Sequence, residues 1–368
     1  MEMESQVNSH QEVLNKQMTA KEVSLKRYLL LLNCLILSIG NTGGPLLLRL
    51  YFLRGGKRIW LSCWLETGGW PIMFIPLVCS YFYRSKKATG KVKLFYITPF
   101  LFAAGAGLGL LTGLDDYIYA YGLAKLPVST SALIISSQLI FTAGFAFLLV
   151  KQKFTSYTIN ALVLLTVAAV VLGIHSNSDR PNGESKVEYF TGFFLTLGAA
   201  ALYGFVLPMI ELTYKKSKTK ITYTLVIEMQ LIMSMFATAF CTIGMLVNKD
   251  FQAIPREARA NPLGEANYYI MLVSNAIVWQ FFFLGAVGVI FCSSSLFSGI
   301  LIAVLLPLVE SLAVVFFHEK FTAEKGISLA LSLWGFVSYF YGEFKLSKDL
   351  KQTADSPKNS HPDRAETL

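Results

Sequence analysis

Acidic side chains interrupt several long apolar stretches of this chain, and they are the residues best suited to carry chemistry. Asp115 and Asp116 are adjacent in GLDDYIYAYGL. Glu228 lies in TLVIEMQLIMSM, and Glu310 lies in LLPLVESLAV just after Pro307. A carboxylate at membrane depth is costly unless it is paired or faces a cavity. Each of these residues is therefore predicted to be a functional group.

The aspartate pair is predicted to face substrate. Adjacent helical positions point about 100° apart, so we expect at most one of Asp115 and Asp116 to face a given cavity. Two carboxylates crowded together in a low dielectric favour a proton on at least one of them. The alternative is structural, with the carboxylate accepting a hydrogen bond from a tyrosine or serine.

Glu228 and Glu310 are the predicted carriers of a coupling proton. A buried carboxylate can take up a proton on the acidic side of a membrane and release it on the other side. Pro307 frees a backbone carbonyl and predicts a kink near Glu310. The alternative for both glutamates is a buried hydrogen bond between helices. Glu66 lies two or three residues inside its apolar stretch, so it either faces substrate or reaches the membrane surface.

Uncharged polar residues are also predicted to belong to the site. Trp279 and Gln280 interrupt one apolar stretch, and Gln138 lies in another. An amide beside an aromatic face can bind the edge of a flat, nitrogen-rich heterocycle while the ring stacks. We therefore predict that these three residues bind substrate. The alternatives are a polar contact between helices for Gln138 and an interfacial position for Trp279.

Composition excludes several classes of protein. Of the 368 residues, 54% are hydrophobic and only 15% are charged, and apolar stretches near twenty residues recur, each long enough to cross a membrane as a helix. The fold class is therefore an all-α integral membrane protein. The five cysteines show no metal or redox spacing, and phosphate loops and nucleophile motifs are absent. The sequence predicts no enzyme, no cofactor and no metal site. Basic residues cluster in short loops, which excludes a nucleic-acid partner.

Ten transmembrane helices fit the pattern, five on each side of a polar connection at residues 176–188. The predicted spans are 29–50, 64–83, 96–124, 127–150, 157–174, 189–213, 223–247, 268–291, 294–317 and 325–345. Residues 1–28 form an N-terminal tail, 29–175 a first repeat of five helices, 189–345 a second repeat, and 346–368 a disordered tail.

A repeated turn and the loop charges together predict inversion of the second repeat. KQKFT at 151–155 returns as HEKFT at 318–322, so one module is written twice. Of the 32 Lys and Arg residues, 20 lie in segments that are cytoplasmic if both termini are cytoplasmic. Five spans per module then invert the second copy. Inverted repeats build transporters that work by alternating access around a site near mid-depth.

Four segments resemble the plant purine permease family of the drug/metabolite transporter superfamily. They are GGPLLLRLYFLRGGKRIW, GLDDYIYAYGLAKLPVSTSALIISSQL, KQKFT and HEKFTAEKGISLALSLWGFVSYFYGE. The resemblance covers the chain from about Leu29 to Glu343. It implies ten helices in two inverted five-helix repeats. It also implies proton-coupled uptake of adenine, cytokinins and related heterocycles at the plasma membrane, and of caffeine-like or nicotine-like alkaloids by some members.

One departure from that family and one alternative function remain. Members usually carry Asp-Asn where this chain has Asp115-Asp116. A second carboxylate would shift preference towards cationic or donor-rich ligands. The alternative is an exporter or exchanger, such as a nucleotide-sugar antiporter, but phosphate-bearing substrates call for buried Lys or Arg, and nearly all basic residues lie in loops or at span ends. The predicted partners are a heterocyclic small molecule, the proton and the lipid bilayer.

Overall fold

The structure is a computed structural model that describes residues 2–87, 93–125, 134–135, 137–174, 186–317 and 321–355. Within these ranges it leaves out the side chains of residues 2–22, 123–125, 169, 172–174, 186, 188–189, 310 and 347–355. The elements that can be delimited in these ranges are all helical.

The helices are numbered in chain order. They are α1 Glu2–Leu53, α2 Ile59–Thr67, a 3₁₀ helix Trp70–Met73, α3 Phe74–Lys87, α4 Pro99–Lys125, α5 Gln138–Val150, α6 Ser156–Ile174, α7 Lys186–Lys216, α8 Tyr223–Val247, α9 Asp250–Ala260, α10 Glu265–Cys292, α11 Ser295–Phe317 and α12 Ala323–Asp355. Among the described residues, five helices are long and apolar enough to cross a membrane, namely α1 from Val23, α7 from Phe190, α8, α10 and α11. The chain is therefore an all-helical, multi-pass membrane protein.

Helix α8 has the predicted bounds, 223–247. Its start is specified locally, because the Thr222 hydroxyl accepts a hydrogen bond from the backbone N of Leu225 at 3.4 Å. The second predicted span, 64–83, is instead broken into α2, the 3₁₀ helix and α3, with Gly68 and Gly69 at the break. Two consecutive glycines disfavour a continuous helix at this point.

The chain ends and one connection differ from the prediction. Helix α1 begins at Glu2, so the predicted tail 1–28 is helical from there, and α12 continues to Asp355, ten residues into the predicted disordered tail. Helix α9 has no predicted counterpart, because its sequence DFQAIPREARA is too polar to read as a span. Parts of the fourth predicted span, of the connection 176–188 and of the second HEKFT turn lie outside the described residues.

Close helix contacts form the frame of the molecule. Helix α1 packs along α10, α4 packs along α7 and α8, and α6 packs along α12. The four-residue spacing of Gly105, Gly109 and Gly113 predicts a close contact, and a Cβ atom at Gly109 would indeed overlap the carbonyl of Met233 on α8. A Cβ atom at Gly40 would overlap the backbone N of Phe282 on α10. These glycines let backbones approach directly.

Candidate functional site

A cavity of about 550 Å³ lies among the helices of both halves of the chain. This volume is typical of small-molecule sites, which measure roughly 300–1,000 Å³. Its walls are largely apolar and aromatic. The aromatic lining residues are Phe52, Tyr119, Tyr203, Trp279, Phe282 and Phe283. The polar lining residues are Asn41, Arg49, Glu66, Asp115, Asp116, Gln138 and Ser332.

Among the described residues, three carboxyl groups line this cavity. Glu66, Asp115 and Asp116 are 2%, 6% and 5% exposed. The Oε1 atom of Glu66, the Oδ1 atom of Asp115 and the Oδ2 atom of Asp116 have no hydrogen-bond partner among the described residues. Arg49 is the one basic residue in the described lining. Each of these oxygens is therefore a buried, unpaired acceptor in a residue at the border of the cavity.

The border of the cavity includes both aspartates, which contradicts the expectation that only one of them faces it. Adjacent positions on α4 point about 100° apart. The cavity reaches both α2 and α7, so two adjacent residues of α4 border it together.

Glu66 lies in the last turn of α2, beside the break at Gly68 and Gly69. The predicted span begins at 64, whereas α2 begins at Ile59, so Glu66 lies seven residues after the start of its helix. Its side chain is buried and lines the cavity. Its burial favours the alternative in which Glu66 faces substrate.

Trp279 lies on α10 and forms part of the aromatic wall. Its ring is 8% exposed and packs on Gly44, where an added Cβ atom would lie 2.8 Å from the Trp279 Cε2 atom. The ring meets Phe282 edge-to-face with centroids 5.3 Å apart. Its Nε1 donor has no partner among the described residues. Trp279 is thus a core residue, and the interfacial alternative is wrong.

Gln138 and Gln280 occupy different environments. Gln138 is the first residue of α5 and lines the cavity. Gln280 is fully buried behind the cavity wall and is not among the lining residues. Its Nε2 atom donates to the backbone carbonyls of Glu66 at 3.3 Å and of Thr67 at 3.0 Å. Its Oε1 atom accepts from the Ser234 hydroxyl at 3.1 Å.

Glu228 is also buried but lies away from the cavity. Its carboxylate accepts from the backbone N of Tyr96, at 3.1 Å to Oε1 and 2.9 Å to Oε2. It therefore ties α8 to the chain that leads into α4. The side chain of Glu310 lies outside the described residues, although its helix α11 contributes Pro307 to the cavity lining.

Glu211, another buried glutamate, forms an ion pair with the residue four positions later on α7. Its Oε1 atom lies 2.7 Å from Lys215 Nζ. Its Oε2 atom accepts from both the backbone N and the hydroxyl of Ser295, at 2.7 and 2.6 Å, and so caps the start of α11. No group of three or more His, Cys, Asp or Glu side chains in the described ranges could hold a metal ion.

Sequence reasoning missed several lining residues. Arg49 lies at the end of the first predicted span, 29–50, and α1 continues beyond it to Leu53, so Arg49 is within the helix. Its guanidinium lies 5.4 Å from the ring centroid of Phe317, at the end of α11. Asn41 and Tyr203 also line the cavity. A single polar residue in an apolar helix is the only available signal for either of them.

Comparisons with known proteins give a consistent match. A family model described as purine nucleobase transmembrane transport matches residues 28–349. Purine permease 3 of Arabidopsis thaliana is 56% identical over 326 residues, covering 88% of this chain and 93% of the relative. Purine permease 2 of Arabidopsis thaliana is 52% identical over 342 residues, covering 89% and 96%. One crystal structure, 15% identical, matches 88% of this chain and 99% of its own with a TM-score of 0.52, which indicates a shared fold alone.

Proposed function

The chain belongs to the purine nucleobase transporter family, and from that premise we propose that it imports purine bases and related heterocycles together with protons. Purine nucleobase transport follows from the family. The inward direction, the coupling to protons and the wider range of substrates, from adenine to cytokinins and caffeine-like or nicotine-like alkaloids, are what we add.

The observation that carries this proposal is the lining of the cavity. Aromatic side chains provide flat apolar walls, while four polar atoms on Glu66, Asp115, Asp116 and Trp279 have no partner within the described chain. A purine has two apolar faces and an edge that carries both donors and acceptors. When a purine is buried, its polar edge atoms stay hydrogen-bonded only if the site supplies matching donors and acceptors.

The arrangement supports a specific placement of the substrate. Trp279 offers its ring face, backed by Phe282 and Phe283. Ring stacking on an aromatic side chain is favourable for any flat heterocycle. Gln138 lies on α5 and can bond the edge of the base with either its donor or its acceptor. The aspartates of α4 accept from the N–H groups of that edge.

We place the coupling proton on the cavity carboxylates. Three carboxylates in one buried space repel each other, so protonation relieves both repulsion and desolvation. Glu66 and Asp116 are mutual electrostatic neighbours from different helices. Glu228 is the weaker candidate, because Tyr96 N already occupies its oxygens. Glu310 stays a prediction. A proton taken up on the acidic side would thus sit beside the substrate.

Helix pairing supports ten spans in two inverted repeats, the drug/metabolite transporter fold. In this scheme α2, the 3₁₀ helix and α3 form one broken span, and α9 lies between spans seven and eight. If each span of one repeat is replaced by the corresponding span of the other, the contact between α1 and α10 becomes a contact between α7 and α4. In the same way, the contact between α5 and α7 becomes a contact between α11 and α1. All four contacts are present. The contacts of α6 with α12 and of α5 with α11 map onto themselves.

The position of the cavity along α1 supports import by alternating access. Its lining residues on α1 run from Asn41 to Leu53, the C-terminal part of that helix. With both termini cytoplasmic, as loop charge favours, this part lies towards the extracytoplasmic side. The cavity then corresponds to the state that admits substrate from outside. We propose the plasma membrane as its location.

Exchange of a nucleotide sugar is the competing function, and the cavity does not favour it. Phosphate-bearing substrates need cationic groups at the site. The described lining contains three carboxylates and one basic residue, Arg49. Neutral or cationic heterocycles fit that balance of charge better than phosphates do.

The test is uptake of labelled adenine in a yeast strain that lacks its own purine importer. We expect accumulation against a gradient, greater at acidic external pH, abolished by a protonophore and reduced by unlabelled heterocycles. Uptake that ignores the protonophore would contradict proton coupling. Absence of accumulation with every heterocycle tested, together with normal abundance at the cell surface, would contradict import.

A further inference from the structure

The break in the second span leaves backbone carbonyl groups without intrahelical donors, and one side chain of α10 donates to them. A helix leaves its last carbonyl groups without intrahelical partners. Inside a membrane, where water is scarce, such groups must find donors within the protein. Helix α2 ends at Thr67, so the carbonyls of Glu66 and Thr67 are among those left over.

Gln280 supplies the missing donors. Its Nε2 atom donates to the carbonyls of both Glu66 and Thr67. Its Oε1 atom accepts from the Ser234 hydroxyl, which in turn accepts from Gln230 Nε2 at 2.7 Å. The amide of Gln280 is therefore bonded at both ends and is 0% exposed. Both N–H donors of its Nε2 atom are used within the protein.

The residues around this contact are tightly packed. A Cβ atom at Gly69 would overlap the carbonyl of Ala276 and would lie 2.9 Å from Gln280 Cγ. From the other side, the Thr238 hydroxyl of α8 lies 3.1 Å from the hydroxyl of Thr67. The end of α2 is thus held by both α10 and α8, so its position is set by their side chains.

We propose that Gln280 is a positioning residue for Glu66, which holds the Glu66 carboxylate in the cavity at a fixed distance from the substrate platform. Trp279 and Gln280 are consecutive on α10, about 100° apart. Trp279 faces the cavity, and Gln280 binds the backbone of Glu66 behind the wall. Two adjacent residues therefore fix the aromatic face and the proton-binding group relative to each other. This inference rests on the proposed role of Glu66 in proton coupling.

The experiment compares Gln280→Met, which keeps the length but removes every hydrogen bond, with Glu66→Gln. Gln280→Met leaves the two buried carbonyls without these donors, and a displacement of a functional group by about 1 Å lowers a rate by up to about a hundredfold. We expect Gln280→Met to lower the maximal rate of adenine uptake at acidic pH about tenfold and to flatten its pH profile, with a smaller change in the half-saturation concentration. Gln280→Asn, which keeps a shorter amide, should have an intermediate pH profile.

Asn33→Leu is the matched control. Asn33 is a fully buried amide that donates to the carbonyl of Leu29 at 2.7 Å and accepts from the Tyr223 hydroxyl at 2.9 Å. It has bonds like those of Gln280 but lies away from the cavity lining. Its loss should lower abundance at the cell surface and leave the pH profile of the remaining protein unchanged. All rates are normalised to surface abundance.

The double variant separates the possible outcomes. In the Glu66→Gln background, Gln280→Met should change the pH profile no further, because the group it positions no longer binds a proton. If Gln280→Met raises only the half-saturation concentration, or behaves like Asn33→Leu, then the positioning role is wrong while the proton role of Glu66 stands. If Glu66→Gln itself retains the normal pH profile, then the proton role is wrong and this inference is overturned with it.

Discussion

Glu66 and Glu228 are two buried glutamates with opposite surroundings. Glu66 is 2% exposed and Glu228 is 0% exposed. They lie on α2 and α8, the second and seventh spans of the proposed repeats. The Oε1 atom of Glu66 has no described partner, whereas both oxygens of Glu228 accept from the backbone N of Tyr96. Burial alone therefore does not distinguish a functional carboxylate from a structural one.

The two carboxylates differ in whether their oxygens accept hydrogen bonds from the rest of the described chain. Glu228 satisfies a backbone donor of the chain entering α4, and this bond holds that chain against α8. The Oε1 atom of Glu66 accepts no hydrogen bond from the described chain, and Glu66 lines a cavity large enough for a heterocycle. An unpaired polar atom beside a cavity is a costly arrangement. It persists where a ligand, a proton or a water molecule completes it.

The largest expected effect is that of Glu66→Gln, which keeps the shape and removes the titratable group. One proton moved with each substrate contributes about 1.4 kcal/mol, or tenfold accumulation, for each pH unit across the membrane. We expect this variant to lose about tenfold accumulation at a gradient of about one pH unit. The measurement is the steady-state ratio of labelled adenine inside and outside yeast cells. Undiminished accumulation would place the coupling proton elsewhere.

Loss of the aromatic platform should come next. Stacking of a base on an aromatic side chain contributes roughly 1–3 kcal/mol, so Trp279→Ala should raise the half-saturation concentration roughly 5- to 150-fold. Trp279→Phe keeps a ring and should cost less. Trp334→Ala on α12 is the control, because that side chain is 67% exposed on the outer surface. Equal effects of the Trp279 and Trp334 alanine variants would contradict the proposed platform.

Asp116→Asn should have a smaller effect and should alter selectivity. It leaves Glu66 and Asp115 in the cavity and removes one of the three carboxyl groups of the described lining. An interaction of about 1 kcal/mol with a cationic ligand corresponds to about fivefold. We expect a cationic heterocycle such as nicotine to compete with adenine about fivefold less well. Asp250→Asn is the control, since Asp250 pairs with Arg58 outside the cavity lining. Unchanged competition would show that Asp116 does not contact the ligand.

The comparison also shows what could be predicted from sequence. The apolar run and the Thr222 cap are local, so the bounds of α8 were predictable. The burial of Glu66 was not, because it depends on a break at Gly68 and Gly69 beside which the carbonyls of Glu66 and Thr67 accept from Gln280, 214 positions from Glu66. The partner of Glu228 is also remote, 132 positions away. Residue type predicted buried carboxylates, but only the packing of distant segments decides which of them is already paired.

Glu228→Gln tests the glutamate whose oxygens are already hydrogen-bonded, and it should have the smallest effect. The amide oxygen still accepts from Tyr96 N, while the charge and one of the two acceptor oxygens are lost. We expect a stability cost of about 1 kcal/mol, a fall of about 2 °C in the Tm of the detergent-solubilised protein, and an unchanged pH profile of uptake. Glu228→Ala removes the acceptor and should cost more, roughly 1–3 kcal/mol, because a buried N–H group loses its partner. A normal Tm together with loss of pH-dependent uptake in Glu228→Gln would reverse the assignment, because the paired carboxylate would then be the one that carries the proton.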